Sequence, residues 1–278
     1  MSVLVIGAGV IGLTTAISLQ EQGHQVTIRA ARIPGRTSLA AGALWGPYLA
    51  GPPDKVESWG EHTLRVLTDQ AGQPGTGVRM LTGFDTETGT QTVPLLDMPS
   101  YLDYLLGRFT AGGGRLAQGA VTRLGEVTGT VVNCTGIDAR ALTGDTSLTP
   151  VRGQLVVLEN PGITRWYVDT GGHAADFTHF LPHGDIVIAG GIAHPGVEDL
   201  SPDPAIARAI IARCAAVEPR LGTATVIGHR AGLRPVRPQV RLEEEHLPGT
   251  RIIHNYGHGG AGVSLSWGCA AEVTALLS

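Results

Sequence analysis

Ser2-Val3-Leu4-Val5-Ile6-Gly7-Ala8-Gly9-Val10-Ile11-Gly12 sets four successive apolar residues directly before a Gly-X-Gly-X-X-Gly turn. The apolar run reads as a short, fully buried strand, and Val10 to Glu21 reads as a helix closed by Gly23 as C-cap. Gln25 to Arg29 supplies a second strand, so the stretch is a βαβ unit. Gly7 allows the tight turn, Gly9 lets backbone approach a pyrophosphate, and Gly12 lets helix and strand pack closely. A bound anion would then meet free N–H groups around Val10 and Ile11 at the helix N-terminus. The acid that usually ends the second strand and binds a ribose hydroxyl is missing, and Arg29-Ala30-Ala31-Arg32 stands there. Two readings stay open: an arginine that meets a 2′-phosphate, or one that is solvated or lies over an adenine.

The chain has 278 residues, enough to bury a sizeable core as one large or two interleaved domains. Its net charge of −4 and 16% charged residues leave no basic field, so no nucleic-acid partner is expected. Forty glycines, about twice ordinary usage, are spread without a period and read as tight turns and close approaches to a ligand. Cys134, Cys214 and Cys269 lack zinc or disulfide spacing. The apolar run Val3 to Leu19 has no basic residues before it, is broken by three glycines, and reads as structural rather than as a signal peptide. No membrane span is expected, and the expected location is the cytoplasm.

Further along, residues 33–55 read as loop, Asp54 to Ala71 as helix, and the Gly/Thr/Pro-rich region that follows receives no element. Met98 to Gly107 reads as helix and Thr128 to Asn133 as a strand that runs into the ligand loop Cys134-Thr135-Gly136. Between 150 and 195 four β-branched runs (Gln154 to Leu158, Thr164 to Val168, Phe177 to Leu181, Asp185 to Ala189) predict an antiparallel sheet. Pro202 to Val217 reads as helix, Arg251 to His254 as strand and Val263 to Leu277 as the last helix. Ten histidines are scattered, with His173, His179, His183 and His194 in the middle sheet. None is paired with carboxylates at metal spacing, and no metal is expected.

Two segments carry more chemistry. His254-Asn255-Tyr256-Gly257-His258-Gly259-Gly260-Ala261-Gly262 packs four glycines into six positions before a helix, a second close-approach loop with exposed N–H donors. Such a loop can hold negative charge, with help from the helix dipole. Gly232-Leu233-Arg234-Pro235-Val236-Arg237-Pro238 sets two arginines before prolines, hence on extended backbone. An arginine fixed in this way can clamp a carboxylate, and the bland alternative is a pair of surface arginines.

RIIHNYGHGGAGVSLSWGCA at 251–270 resembles the signature of the D-amino acid oxidase family, and GLRPVRPQVRL at 232–242 resembles its substrate-arginine segment. GAGVIGLTTA at 7–16, AAGALWGPY at 40–48, VVNCTGIDARAL at 131–142 and RGQ at 152–154 match in the same order. The resemblance implies an α/β fold: a Rossmann-like FAD-binding domain (1–75, 108–150 and 228–278) with a smaller antiparallel-sheet substrate domain (76–107 and 151–227). It implies hydride transfer from a D-amino acid to flavin N5 and reoxidation by O2 to give hydrogen peroxide, followed by hydrolysis of the imino acid. The partners are then the small-molecule amino acid and O2, and a homodimer is allowed.

By the same resemblance Arg234 holds the substrate carboxylate and the Gly260 carbonyl accepts the amine. Thr37 and Ser38 contact the phosphates, while Trp45, Gly46 and Arg152 lie near the flavin. Gly259, Gly260, Gly262, Val263 and Ser264 run along the flavin. Arg32, Gly42, Thr135, Gly136, Gly257 and His258 complete the expected cofactor contacts. His179 takes the place where the family usually has a carboxylate-binding tyrosine, and Ala175 the place of a pocket-covering aromatic. About two dozen family residues are also missing between about Phe84 and Thr92. These departures favour, as alternatives, a bulkier or carrier-bound amino acid or amine as substrate, or a non-catalytic flavin-binding protein.

Overall fold

The computed structural model describes residues 1–171 and 175–278; His173 lies outside the described residues. Strand β1 (Ser2–Ile6), helix α1 (Val10–Glu21) and strand β2 (Gln25–Ala30) form the opening βαβ unit. The four-residue α2 (Arg36–Leu39) and the long α3 (Pro53–Ala71) lead to a hairpin of β3 (Val78–Asp85) and β4 (Gly89–Leu96). Helix α4 (Met98–Ala111), β5 (Arg115–Gln118), β6 (Gly129–Asn133) and α5 (Ala139–Thr143) follow. The middle of the chain is β7 (Thr149–Glu159), β8 (Trp166–Asp169), β9 (Asp176–His183), β10 (Ile186–Ile192) and the two-residue β11 (His194–Pro195). Helix α6 (Pro204–Val217), the 22-residue β12 (Val226–Leu247), β13 (Thr250–His258) and α7 (Gly262–Leu277) close it.

The strands share one sheet, in the order β4-β3-β8-β9-β10-β7-β12-β13-β6-β1-β2-β5, with β11 paired to β7. The end β13-β6-β1-β2-β5 is parallel throughout. Counted along the chain, its strands lie 3-2-1-4-5, a doubly wound order whose direction reverses between β1 and β6. The other end is mostly antiparallel. Strand β12 joins the two: residues 226–236 pair with β7, and residues 241–247 pair with β13. The register shifts between Val236 and Arg241, around Pro238, which has no N–H to give to a ladder.

Helix α1 is buried on almost every side, which its apolar sequence requires. It packs on the sheet and against α4 and α7, around Leu13, Ile17, Tyr101, Phe109 and Trp267. Helix α6 covers the other face of β7, β9 and β10 through Ala207, Ile210 and Cys214. The three cysteines are buried and free.

Several elements differ from the sequence reading, among them the long strand β12 and the short α5 and β11, to which no element was assigned. The β3–β4 hairpin forms where no element was assigned, because its threonines pair across strands, with Thr82 and Thr92 hydroxyls 2.7 Å apart. Its turn is closed by Asp85, whose carboxylate accepts the N–H groups of Glu87 and Thr88. Helix α2 interrupts the loop expected over 33–55, and β5 adds a parallel edge strand beyond β2.

Candidate active site

A cleft of about 1200 Å³ opens at the carboxyl ends of β1 and β6, where the parallel strand order reverses. Its floor is formed by the loops after these strands, and one wall is a face of the antiparallel sheet.

At one end Gly7 has φ +110°, and a Cβ there would lie 2.4 Å from the Cys134 carbonyl oxygen. A Cβ on Gly12 would lie 2.0 Å from the Gly7 oxygen, so Gly12 serves helix packing and does not line the cleft. Gly9, Val10 and Ile11 do line it. The Val10 N–H donates to Ser38 Oγ at 3.0 Å, which ties α2 to the start of α1 and leaves the Ser38 hydroxyl proton to point elsewhere. Arg32, Thr37 and Gly42 border the same space. Asp138 does too, with its carboxyl pushed up by burial against the opposing pull of Arg32. Thr135 and Gly136 enter from β6, with the Thr135 N–H and hydroxyl both donating to Asn133 Oδ1.

At the other end the glycine loop behaves differently from the sequence expectation of exposed donors. The N–H groups of Gly259, Gly260 and Ala261 are already used, donating to the carbonyls of Pro235, Tyr48 and His258. The open donors belong instead to the first turn of α7, at Gly262, Val263 and Ser264, because α7's intrahelical bonding begins at Leu265. The glycines are needed for space: a Cβ on Gly259 would lie 1.8 Å from the Leu49 oxygen, and one on Gly260 2.5 Å from the Tyr48 ring. Gly257 has φ +85°, backs Arg237 and does not face the cleft. Ser264 and Gly46 exchange hydrogen bonds at 3.0 and 3.1 Å, which joins α7 to the Trp45 loop. His258 bonds Asn255 through Nε2 at 3.1 Å, and burial lowers its pKa to about 3.

These residues suit a flavin dinucleotide. Trp45 Nε1 is buried in the cleft wall with no partner among the described residues, a donor that lacks an acceptor. Two helix N-termini and backbone that no side chain could occupy at Gly7 and Gly259 form the rest of the cradle.

Against the sheet wall lies Arg234. Its guanidinium donates to the Ile192 carbonyl at 2.8 Å and lies 6.0 Å from the Tyr48 ring and 5.9 Å from the Phe177 ring. Among the described residues no carboxylate pairs with it, and burial lowers its pKa. Gly153 makes room, since a Cβ there would lie 2.8 Å from Arg234 Nη1. The alternation of β9 turns Phe177, His179 and Leu181 to the cleft. His179 stacks on Phe177 at 5.4 Å, and burial, with Arg234 and Arg213 adding to it, lowers its pKa to about 3, so the ring is neutral. The Gly260 carbonyl accepts no hydrogen bond from the described residues and borders the same end.

Tyr48 and Phe177 were not singled out by sequence reasoning. Tyr48 ends the AAGALWGPY motif, and Phe177 follows from the alternation that also turns His179 inward. Ala175, at the expected covering position, supplies no ring. Arg152, expected near the flavin, does not line the cleft. It is buried, and its guanidinium donates to the carbonyls of Asp199 and Ser201 and to Gln154 Oε1, holding the segment before α6. Arg237 pairs with Asp145 at 2.9 Å, so of the two arginines before prolines only Arg234 faces the cleft.

A family model described as FAD dependent oxidoreductase (DAO) matches residues 2–84 and 88–276. The interruption falls in the β3–β4 turn. The chain is 43% identical, over a 308-residue alignment, to a D-amino-acid oxidase of Streptomyces coelicolor, covering 99% of this chain and 96% of that one. It is likewise 43% identical to a D-amino-acid oxidase of Rubrobacter xylanophilus, covering 98% and 94%. Among solved structures, glycine oxidase from Bacillus cereus superposes with a TM-score of 0.80 at 18% identity, covering 99% and 94%, which shows the shared fold.

Proposed function

The chain belongs to the DAO family of FAD-dependent oxidoreductases, and we propose that it oxidises the Cα–N bond of a D-amino acid with O2 as electron acceptor. One observation carries this reading: a half-buried arginine without a carboxylate partner among the described residues, in the same cleft end as an open backbone carbonyl. Arg234 takes the substrate carboxylate through paired, charge-assisted hydrogen bonds, strengthened by the low polarity beside the Tyr48 and Phe177 rings. The Gly260 carbonyl accepts from the amine, so substrate is held at two points and Cα is presented in one orientation. Neutral His179 adds no second positive charge beside Arg234, and with Phe177 it borders the side-chain space. FAD, when bound, supplies the hydride acceptor and passes the electrons to oxygen. The open N–H groups at the start of α7 would hold negative charge on a bound FAD, and the Trp45 indole would offer a further donor.

The test is anaerobic mixing of the FAD-loaded protein with a panel of D- and L-amino acids. Loss of the oxidised flavin absorbance with D-isomers, followed by peroxide on admission of air, is expected. Protein that takes up no FAD, or flavin bleached only by L-isomers, overturns the reading. A second reading, a bulkier substrate, is favoured by the extension of the cleft along the sheet wall to Gln91 and Asp85 of the hairpin. It predicts slow bleaching by every free D-amino acid in the panel.

A further inference from the structure

Behind the cleft loop that follows β6 runs a chain of buried polar groups that the reaction does not use. Thr135 donates twice to Asn133 Oδ1, from its N–H at 3.2 Å and its hydroxyl at 2.7 Å. With that oxygen committed, the Asn133 amide must present Nδ2 to His254 Nδ1, 3.2 Å away. An amide NH2 only donates, so Nδ1 of His254 is the acceptor and its proton sits on Nε2. That Nε2–H donates to Glu245 Oε2 at 2.9 Å. Asn133 and His254 are fully buried, whereas the Glu245 side chain is 38% exposed. Every donor therefore points one way, from the cleft toward the surface carboxylate.

We propose that Glu245 is a positioning residue for the cofactor. Acting through His254 and Asn133, it holds Thr135 and the turn at Gly136 in the conformation that receives FAD. This rests on the reading of the cleft as the flavin site.

The directionality has a chemical consequence. A proton added to His254 Nδ1 would face the Asn133 NH2, donor against donor. The amide would then have to turn over, releasing both bonds to Thr135. The groups around the His254 ring are Glu245, Glu243 and Arg241 from β12, Tyr256 edge-on from β13 at 5.6 Å, and neutral Asn133 from β6. Burial lowers the His254 pKa while Glu245 pulls it upward, so the ring is neutral at pH 7 and charges only on acidification. Removing the Glu245 charge moves that protonation to lower pH.

The experiment measures the FAD dissociation constant by flavin fluorescence from pH 8 to pH 5, for wild type, E245L, E245Q and the control E243Q. Wild type should bind with constant affinity at neutral pH and more weakly as acid protonates His254. E245L removes the acceptor and should bind about five-fold more weakly at pH 7.5, the effect of one hydrogen bond. E245Q keeps an acceptor oxygen, so affinity at pH 7.5 should return to within about two-fold of wild type, with the acid weakening displaced to lower pH. E243Q breaks an ion pair to Arg241 without removing a hydrogen bond of the relay. It should match wild type at pH 7.5, with its acid limb displaced less than in E245Q because Glu243 acts on His254 only through its charge. An E245L affinity equal to wild type, an undisplaced acid limb in E245Q, or an E243Q that copies either variant overturns the relay. Wild type that fails to bind FAD at every pH overturns the flavin reading instead.

Discussion

Arg234 is placed by its neighbours: Gly153 beneath it, the Ile192 carbonyl on one nitrogen, and the adjoining rings of Tyr48 and Phe177, 6.0 and 5.9 Å from its guanidinium. R234A should retain FAD and its absorbance spectrum yet raise KM by about thirty-fold or more, the scale for losing one partner of a buried charge pair. Steady-state kinetics on the FAD-loaded variant checks this, and an unchanged KM would remove Arg234 from carboxylate binding. At His179 the sign is set by burial. A pKa of about 3 means the ring is neutral from pH 8 to pH 5 and contributes no limb to the rate profile there. H179F should change KM for polar substrates and leave the shape of kcat/KM against pH unaltered; disappearance of a limb near pH 6 would contradict a neutral ring. Of these residues Arg234 was visible in the sequence because Pro235 forces its backbone to be extended. Phe177 was not, since only the pairing of β9 in the sheet decides which of its faces looks into the cleft.

The helices and strands explain why some glycines matter for folding and others for binding. Gly12 meets the Gly7 oxygen, backbone against backbone, so G12A must push α1 away from β1. It should lower the melting temperature of the cofactor-free protein, at a cost of roughly 1–3 kcal/mol, and weaken FAD retention together. Gly153 meets only the end of a flexible arginine. G153A should keep FAD and the melting temperature while raising KM, and calorimetry set beside kinetics separates the two outcomes. The motif around Gly7 already gave Gly12 the packing role that its contact with the Gly7 oxygen shows, whereas no sequence motif pointed to Gly153. At α7 the glycines provide clearance and the donors come from the helix itself.

For the molecule as a whole, one sheet carries both the cofactor loops and the substrate wall, with β12 running through both, so cofactor binding and global stability are linked. FAD at one hundred times its dissociation constant should add about 2.7 kcal/mol to the stability of the folded state. A melting temperature indifferent to FAD would show that the cleft does not bind it. Acid should act in the opposite direction. His179 and His258 have pKa values near 3 and His183 near 4, all below the ordinary value of about 6.5. Between these limits the unfolded chain binds more protons than the folded one. There is no cost above pH 6.5, and stability falls as pH drops toward 4, by up to about 1.4 kcal/mol per pH unit for each histidine. Denaturant unfolding of the cofactor-free protein at pH 7 and pH 5 measures this, and equal stabilities would show that the three rings do not stay neutral in the fold.

The amino-acid sequence by itself determined the βαβ unit, the second glycine loop and the extended arginines, because each rests on local chemistry: the order of apolar residues, backbone clearance, and the clash of a proline ring with the residue before it. The family was legible as a resemblance of motifs in one order along the chain. Only the tertiary structure decided what depends on which side chains meet. It turned Arg152 into a structural residue and Arg237 into the partner of Asp145. It brought Tyr48 and Phe177, 129 positions apart in the sequence, to within 5.4 Å over Arg234. It moved the open donors from the opening glycine loop's C-terminal counterpart to the first turn of α7. The physical reason is that a hydrogen bond or a stacked ring is a contact between segments distant in sequence. No local pattern states which partner a buried polar group will find.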